Sequence, residues 1–67
     1  MNREKAAEML SQGYQLTHKY FTENEFIELK KDIIITEDGF GFTNNFWSRE
    51  MYEDGWELVP NQEIVSK

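Results

Sequence analysis

Phe26-Ile27-Glu28-Leu29-Lys30-Lys31-Asp32-Ile33-Ile34-Ile35-Thr36 is the densest apolar run in the chain, and its reading decides the fold. Ile27 and Leu29 alternate with Glu28 and Lys30, the period of a half-buried strand. Ile33, Ile34 and Ile35 are β-branched and stiff at χ1, which suits a pleated surface better than a helix. Lys31-Asp32 is then the turn of a hairpin. A helical reading competes with this one. Thr22-Glu23-Asn24-Glu25 has the Thr-x-x-Glu form of a capping box, and Phe26, Leu29 and Ile33 would share a helical stripe. The isoleucine triplet, followed by the turn residues Glu37-Asp38-Gly39, favours the hairpin.

Outward from that hairpin, the chain reads as a single domain over residues 1–60 with a flexible C-terminal tail over residues 61–67. Asn2 is suited to cap a helix and Glu4 to its first turn. Ala6, Met9 and Leu10 form a narrow apolar stripe, and Gly13 stands where a left-handed residue ends a helix. The spacing predicts a helix over residues 3–12. Tyr14 to Phe21 reads as a strand, with Leu16 and His18 on one face. Residues 44–53 read as an irregular turn or short helix carrying Phe46, Trp47, Met51 and Tyr52. Trp56 to Val59 reads as a last strand, stopped by Pro60. The expected class is α+β, one N-terminal helix on an antiparallel sheet of three or four strands.

Composition narrows the function classes. The chain has 67 residues, no cysteine and one histidine, so disulfides and thiolate metal sites are excluded. A chain of this size buries only about 60% of the surface its unfolded form exposes. Ten aromatic residues supply the core and exceed what so small a monomer readily hides. The net charge is −6, and it is uneven. Residues 1–36 carry five basic and six acidic side chains, residues 37–67 two and seven. That balance carries no footprint for direct nucleic-acid binding. There is no apolar run long enough to span a membrane and no apolar signal core after Asn2-Arg3-Glu4-Lys5, so a cytoplasmic protein is expected.

Catalytic signatures are missing. His18 has no partner that spacing identifies, and it reads as a strand or surface histidine. Ser11, Ser48 and Ser66 lie in no nucleophile elbow. Asp38 opens no calcium loop, because Phe40 and Phe42 occupy the third and fifth positions, where oxygen ligands belong. Glu50, Glu53, Asp54 and Glu57 read as a solvated rim around Trp56. The expectation is a protein that is not an enzyme and takes no cofactor or metal. The informative residues are aromatic: Phe46, Trp47, Tyr52 and Trp56 form the candidate binding surface, with Arg49 beside the Trp47 indole. Aromatic anchors suit a protein partner, whereas aromatic faces with an arginine suit a planar anion such as a nucleotide.

The order of these features resembles the very small accessory proteins of phages and prophages of Gram-positive bacteria. Ala6-Ala7-Glu8-Met9-Leu10 with Gly13, Leu16-Thr17-His18-Lys19-Tyr20-Phe21 and Phe26-Ile27-Glu28-Leu29 carry the resemblance. So do Thr36-Glu37-Asp38-Gly39, Phe46-Trp47 and Asp54-Gly55-Trp56-Glu57-Leu58. The start and end are also loosely similar to the Thoeris anti-defence family, which implies an oligomeric sponge that sequesters a cyclic-nucleotide signal. This chain is shorter, and Gly55 separates Asp54 from Trp56 where the family joins acid to tryptophan. The aromatic excess in so short a chain leads to the expectation of a phage-type accessory protein that binds a host or phage protein through its aromatic surface. The alternatives are the nucleotide sponge and, from the seven acids of residues 37–67, an acidic mimic of nucleic acid.

Ten aromatics and three isoleucines under one short helix also imply self-association, for which a twofold dimer in equilibrium with monomer is expected. Sedimentation across a concentration series should show the mass rising above 8.0 kDa. A single monomeric species at every concentration would contradict it.

Overall fold

In chain order, a computed structural model, which describes residues 1–60 and 62, contains seven elements. They are helix α1 (Arg3–Ser11), strands β1 (Leu16–His18), β2 (Ile27–Lys30) and β3 (Ile33–Thr36), helix α2 (Thr43–Ser48), a 3-10 turn (Glu50–Tyr52) and strand β4 (Trp56–Leu58). The sheet is antiparallel in the order β3-β2-β1-β4, and α1 lies across β2 and β4 on one face. The fold is α+β, with the helix against four strands.

The decisive stretch is the hairpin. Lys30 pairs with Ile33, which leaves Lys31-Asp32 as a two-residue loop. Both loop residues have positive φ, 50° and 65°, the geometry of a type I′ turn. The helical reading fails although its cap forms. Thr22 N–H donates to the Glu25 carboxylate at 2.7 Å, closing one half of a capping box, and the chain then enters β2 instead of a helix. Of the three isoleucines, Ile34 alone enters the core. Ile33 and Ile35 stand on the opposite face with Glu28, Lys30, Thr17 and Glu57.

α1 begins and ends as its sequence dictates. The Asn2 side chain accepts from Lys5 N–H at 2.8 Å. At the other end Gly13, at φ 98°, donates to Leu10 C=O and Tyr14 donates to Met9 C=O, the paired bonds of a Schellman motif. The first of these motifs fixes where the helix starts, the second where it stops. Strand β1 is shorter than the Tyr14–Phe21 run suggests, for a local reason at each end. Tyr14 N–H is committed to the helix terminus, and Phe21 N–H turns back onto His18 C=O at 2.8 Å.

Both sheet edges are covered. Along β3, Ile34 N–H donates to the Thr43 hydroxyl, while its carbonyl and Thr36 N–H bond Phe42 N–H and Phe40 C=O. Along β4, Met1 and Trp56 exchange N–H···O bonds in both directions. Covered edges suppress pairing with other chains. Of the expected tail, 61 and 63–67 lie outside the described residues. Gln62 is anchored: its side chain takes Gln15 N–H and donates to the carbonyls of Gln15 and Val59.

Replacing Lys31-Asp32 by Asn-Gly should raise the unfolding free energy by about 1 kcal/mol, because left-handed backbone is costly for lysine. In urea this appears as a higher midpoint at unchanged slope. An unchanged midpoint would contradict the turn assignment.

Candidate functional site

The aromatic residues divide into a packed cluster and a set held outside it. Trp56 lies at the cluster's centre and is fully buried. Its ring meets His18 at 4.7 Å, Phe46 at 5.3 Å, Tyr52 at 5.5 Å and Phe21 at 5.7 Å between centroids. The contacts with His18 and Phe21 are edge-to-face, an arrangement worth about 0.5–1.5 kcal/mol per pair beyond area burial. The indole N–H donates to Tyr52 C=O at 2.7 Å. Phe46, also fully buried, closes the cluster from α2.

His18 belongs to this cluster and is only 2% exposed. Its Nε2 lies 2.6 Å from Asp54 C=O, and its Nδ1 faces Tyr20 N–H at 3.2 Å. A carbonyl only accepts and an amide only donates, so the partners fix a neutral ring protonated on Nε2. Both nitrogens are thereby committed to backbone. Three successive carbonyls hold α1 and the end of β1 here: Glu53 accepts from Arg3 N–H, Asp54 from His18 and Gly55 from Lys19 N–H. Gly55 has φ 93°, which lets the segment present all three.

Arg3 ties α1 to the far end of α2. Its Nε donates to Phe46 C=O at 2.7 Å and its Nη2 to Arg49 C=O. A cation on the terminal carbonyls of a helix satisfies orphan acceptors and opposes the dipole. Ser48 Oγ takes a further carbonyl, that of Asn44, at 2.6 Å.

The sequence-derived surface is therefore corrected. Phe46 and Trp56 present nothing to a partner, since the sheet and both helices enclose them. Tyr52 is half-buried in the same cluster. Trp47 is 50% exposed and packs edge-on against Phe46 at 5.0 Å, so its indole rests on the core at the surface. Arg49 is exposed but its guanidinium lines neither of the grooves beside Trp47 and Tyr20. Two exposed residues were missed: Tyr20, at 62%, and Met51, at 43%. Strand alternation would place Tyr20 inward with Leu16 and His18. The turn after His18 is what swings it out.

These residues border two adjoining grooves. One, of about 500 Å3, lies between Tyr20 and Met51 and is rimmed by Glu50, Glu53 and Asp54. Its one cation, Lys19, has its ammonium 5.2 Å from the Tyr20 ring centroid. The second, of about 330 Å3, runs beside Trp47 with Glu4 and the already committed Arg3. Asn2 and Glu53 line both, so the grooves are neighbours. Among the described residues, no three His, Asp or Glu side chains converge to hold a metal ion, and no helix is long and apolar enough to cross a membrane. No protein-family model, curated protein or solved structure matches the chain.

Gly55→Ala tests the carbonyl segment. A Cβ there would sit 3.0 Å from His18 Nε2 and 3.1 Å from the Lys19 side chain, at a φ that L-residues avoid. The substitution should destabilise the fold by about 1–3 kcal/mol, read from chemical denaturation. A change within error would contradict the packing around His18.

Proposed function

We propose that the protein acts without catalysis, by binding a basic protein partner through the face that carries Trp47, Met51 and Tyr20. The observation that supports it is the pairing of three large, exposed apolar side chains with two adjoining grooves that carry four carboxylates against Lys19 and the committed Arg3. Exposed apolar groups rimmed by charge are characteristic of interaction sites. Tryptophan and tyrosine serve as anchors because they bury much area at little entropic cost. The rim of Glu4, Glu50, Glu53 and Asp54 speeds encounter with a positively charged partner and rejects acidic ones. The packing of Trp47 on Phe46 favours tight binding, since less order is left to impose. The phage or prophage setting, and with it a host protein as the partner, rests on the resemblance in sequence pattern.

The same electrostatics weigh against a nucleotide sponge. A cyclic nucleotide entering the first groove meets three carboxylates and a lone lysine. In the second it meets two carboxylates and an Arg3 guanidinium already bonded to two backbone carbonyls, where recognition of phosphate calls for free arginines or bare backbone amides. Mimicry of nucleic acid is favoured less, because the acids alternate with apolar anchors instead of forming an unbroken anionic track. The commitment of both His18 nitrogens to backbone supports a role without general acid–base chemistry.

Trp47→Ser combined with Met51→Ser should leave the fold intact and abolish partner binding. Anchor truncations of this kind cost about 2 kcal/mol or more, roughly thirtyfold in Kd. The check is affinity capture from host extract, comparing wild type and variant at matched thermal stability, with the retained protein eluting as salt rises. Cyclic nucleotides should leave Tm unchanged. Equal retention by the variant, or a Tm raised by a nucleotide, would overturn the reading.

A further inference from the structure

A third cleft, of about 250 Å3, opens on the other side of Tyr52 and shares no lining residue with the grooves above. Its floor is aromatic. Phe21, Phe42 and Tyr52 pack together with centroids 5.1–6.1 Å apart and their planes steeply inclined, at 59–82°. Phe26 and Phe40 flank that floor, and Phe40 is 70% exposed. No other aromatic side chain among the described residues is as exposed as Phe40.

The charged lining is acidic throughout: Glu25, Glu37 and Asp38, with no lysine or arginine. Two of these carboxylates are oriented by backbone. Glu25 accepts from Thr22 N–H at 2.7 Å, and Glu37 accepts from Phe26 N–H at 3.1 Å. Among the described residues none of the three forms an ion pair. Carboxylates held in place beside aromatic faces, with no cation among them, form the complement of a planar cation. Guanidinium stacks on aromatic rings and pairs with carboxylates through its fork of donors, and it is weakly hydrated enough to leave water for such a site.

We propose that this cleft is a second binding site, which takes an arginine side chain of a protein or peptide. The guanidinium lies over the Phe40 and Tyr52 rings with Glu37 and Asp38 as its counter-ions. The inference uses none of the residues of the Trp47 face, so the two stand or fall separately. An anionic ligand is rejected here by the same three carboxylates.

The test is a titration followed by amide chemical shifts, using the capped tripeptide Gly-Arg-Gly and its citrulline analogue, an uncharged isostere. The arginine peptide should shift residues 25–26 and 36–42 saturably at low salt, and citrulline should bind at least about tenfold more weakly. Asp38→Asn with Phe40→Ala alters two exposed side chains, so its spectrum should otherwise match wild type, and it should lose about tenfold in affinity. Equal binding of citrulline, shifts confined to other residues, undiminished binding by the variant, or no saturable shift in wild type would each overturn the proposal.

Discussion

The burial of the Trp56 indole is the constraint on which the rest of the structure depends. A chain of 67 residues without cysteine has no disulfide staple, and its cohesion comes from one small core. Trp56 joins segments from both ends of the chain. Its backbone pairs with Met1 ahead of α1 and with His18 of β1, its indole N–H bonds the 3-10 turn, and its ring packs on Phe46 of α2. Removing such a ring from a core costs about 3–5 kcal/mol, which is most of what a small domain has in hand.

Around that ring the polar groups are arranged to need no water. His18 is buried beside it because both ring nitrogens find backbone partners, and a buried polar group so satisfied loses little on leaving solvent. The carbonyls of residues 53–55 and the guanidinium of Arg3 join α1, α2, β1 and β4 into one body. That body carries the exposed side chains. Trp47 is mounted on Phe46, Met51 follows the 3-10 turn and Tyr20 projects from the bend after His18. The proposed binding face is therefore a consequence of core packing, made from side chains the core does not enclose.

Local chemistry explains which features can be read directly from sequence. The Asn2 cap, the Gly13 terminus, the Ile27–Thr36 hairpin and the last strand at Trp56 each depend on residues within a few positions of one another. Long-range facts are less legible. Arg3 grips carbonyls more than forty residues away, and nothing near it in sequence marks that role. Alternation placed Tyr20 inside, and a two-residue bend overrode it. Phe46 and Trp47 are neighbours with similar chemistry, yet one is core and the other surface. Helical phase decides between them, in a helix of six residues too short to show a period. The candidate surface was thus legible as an aromatic excess between residues 46 and 56, but its division into core and anchor was not.

Trp56 can be observed alone in a Trp47→Phe variant, whose fluorescence then reports the centre of the fold. Acrylamide quenching of that emission in the native state, followed through unfolding beside far-UV circular dichroism, tests the central role of Trp56 most directly. The prediction is a blue-shifted emission protected from quencher, lost in a single transition that coincides with the loss of secondary structure. Emission open to quencher in the native protein, or lost well before the sheet and helices, would contradict it.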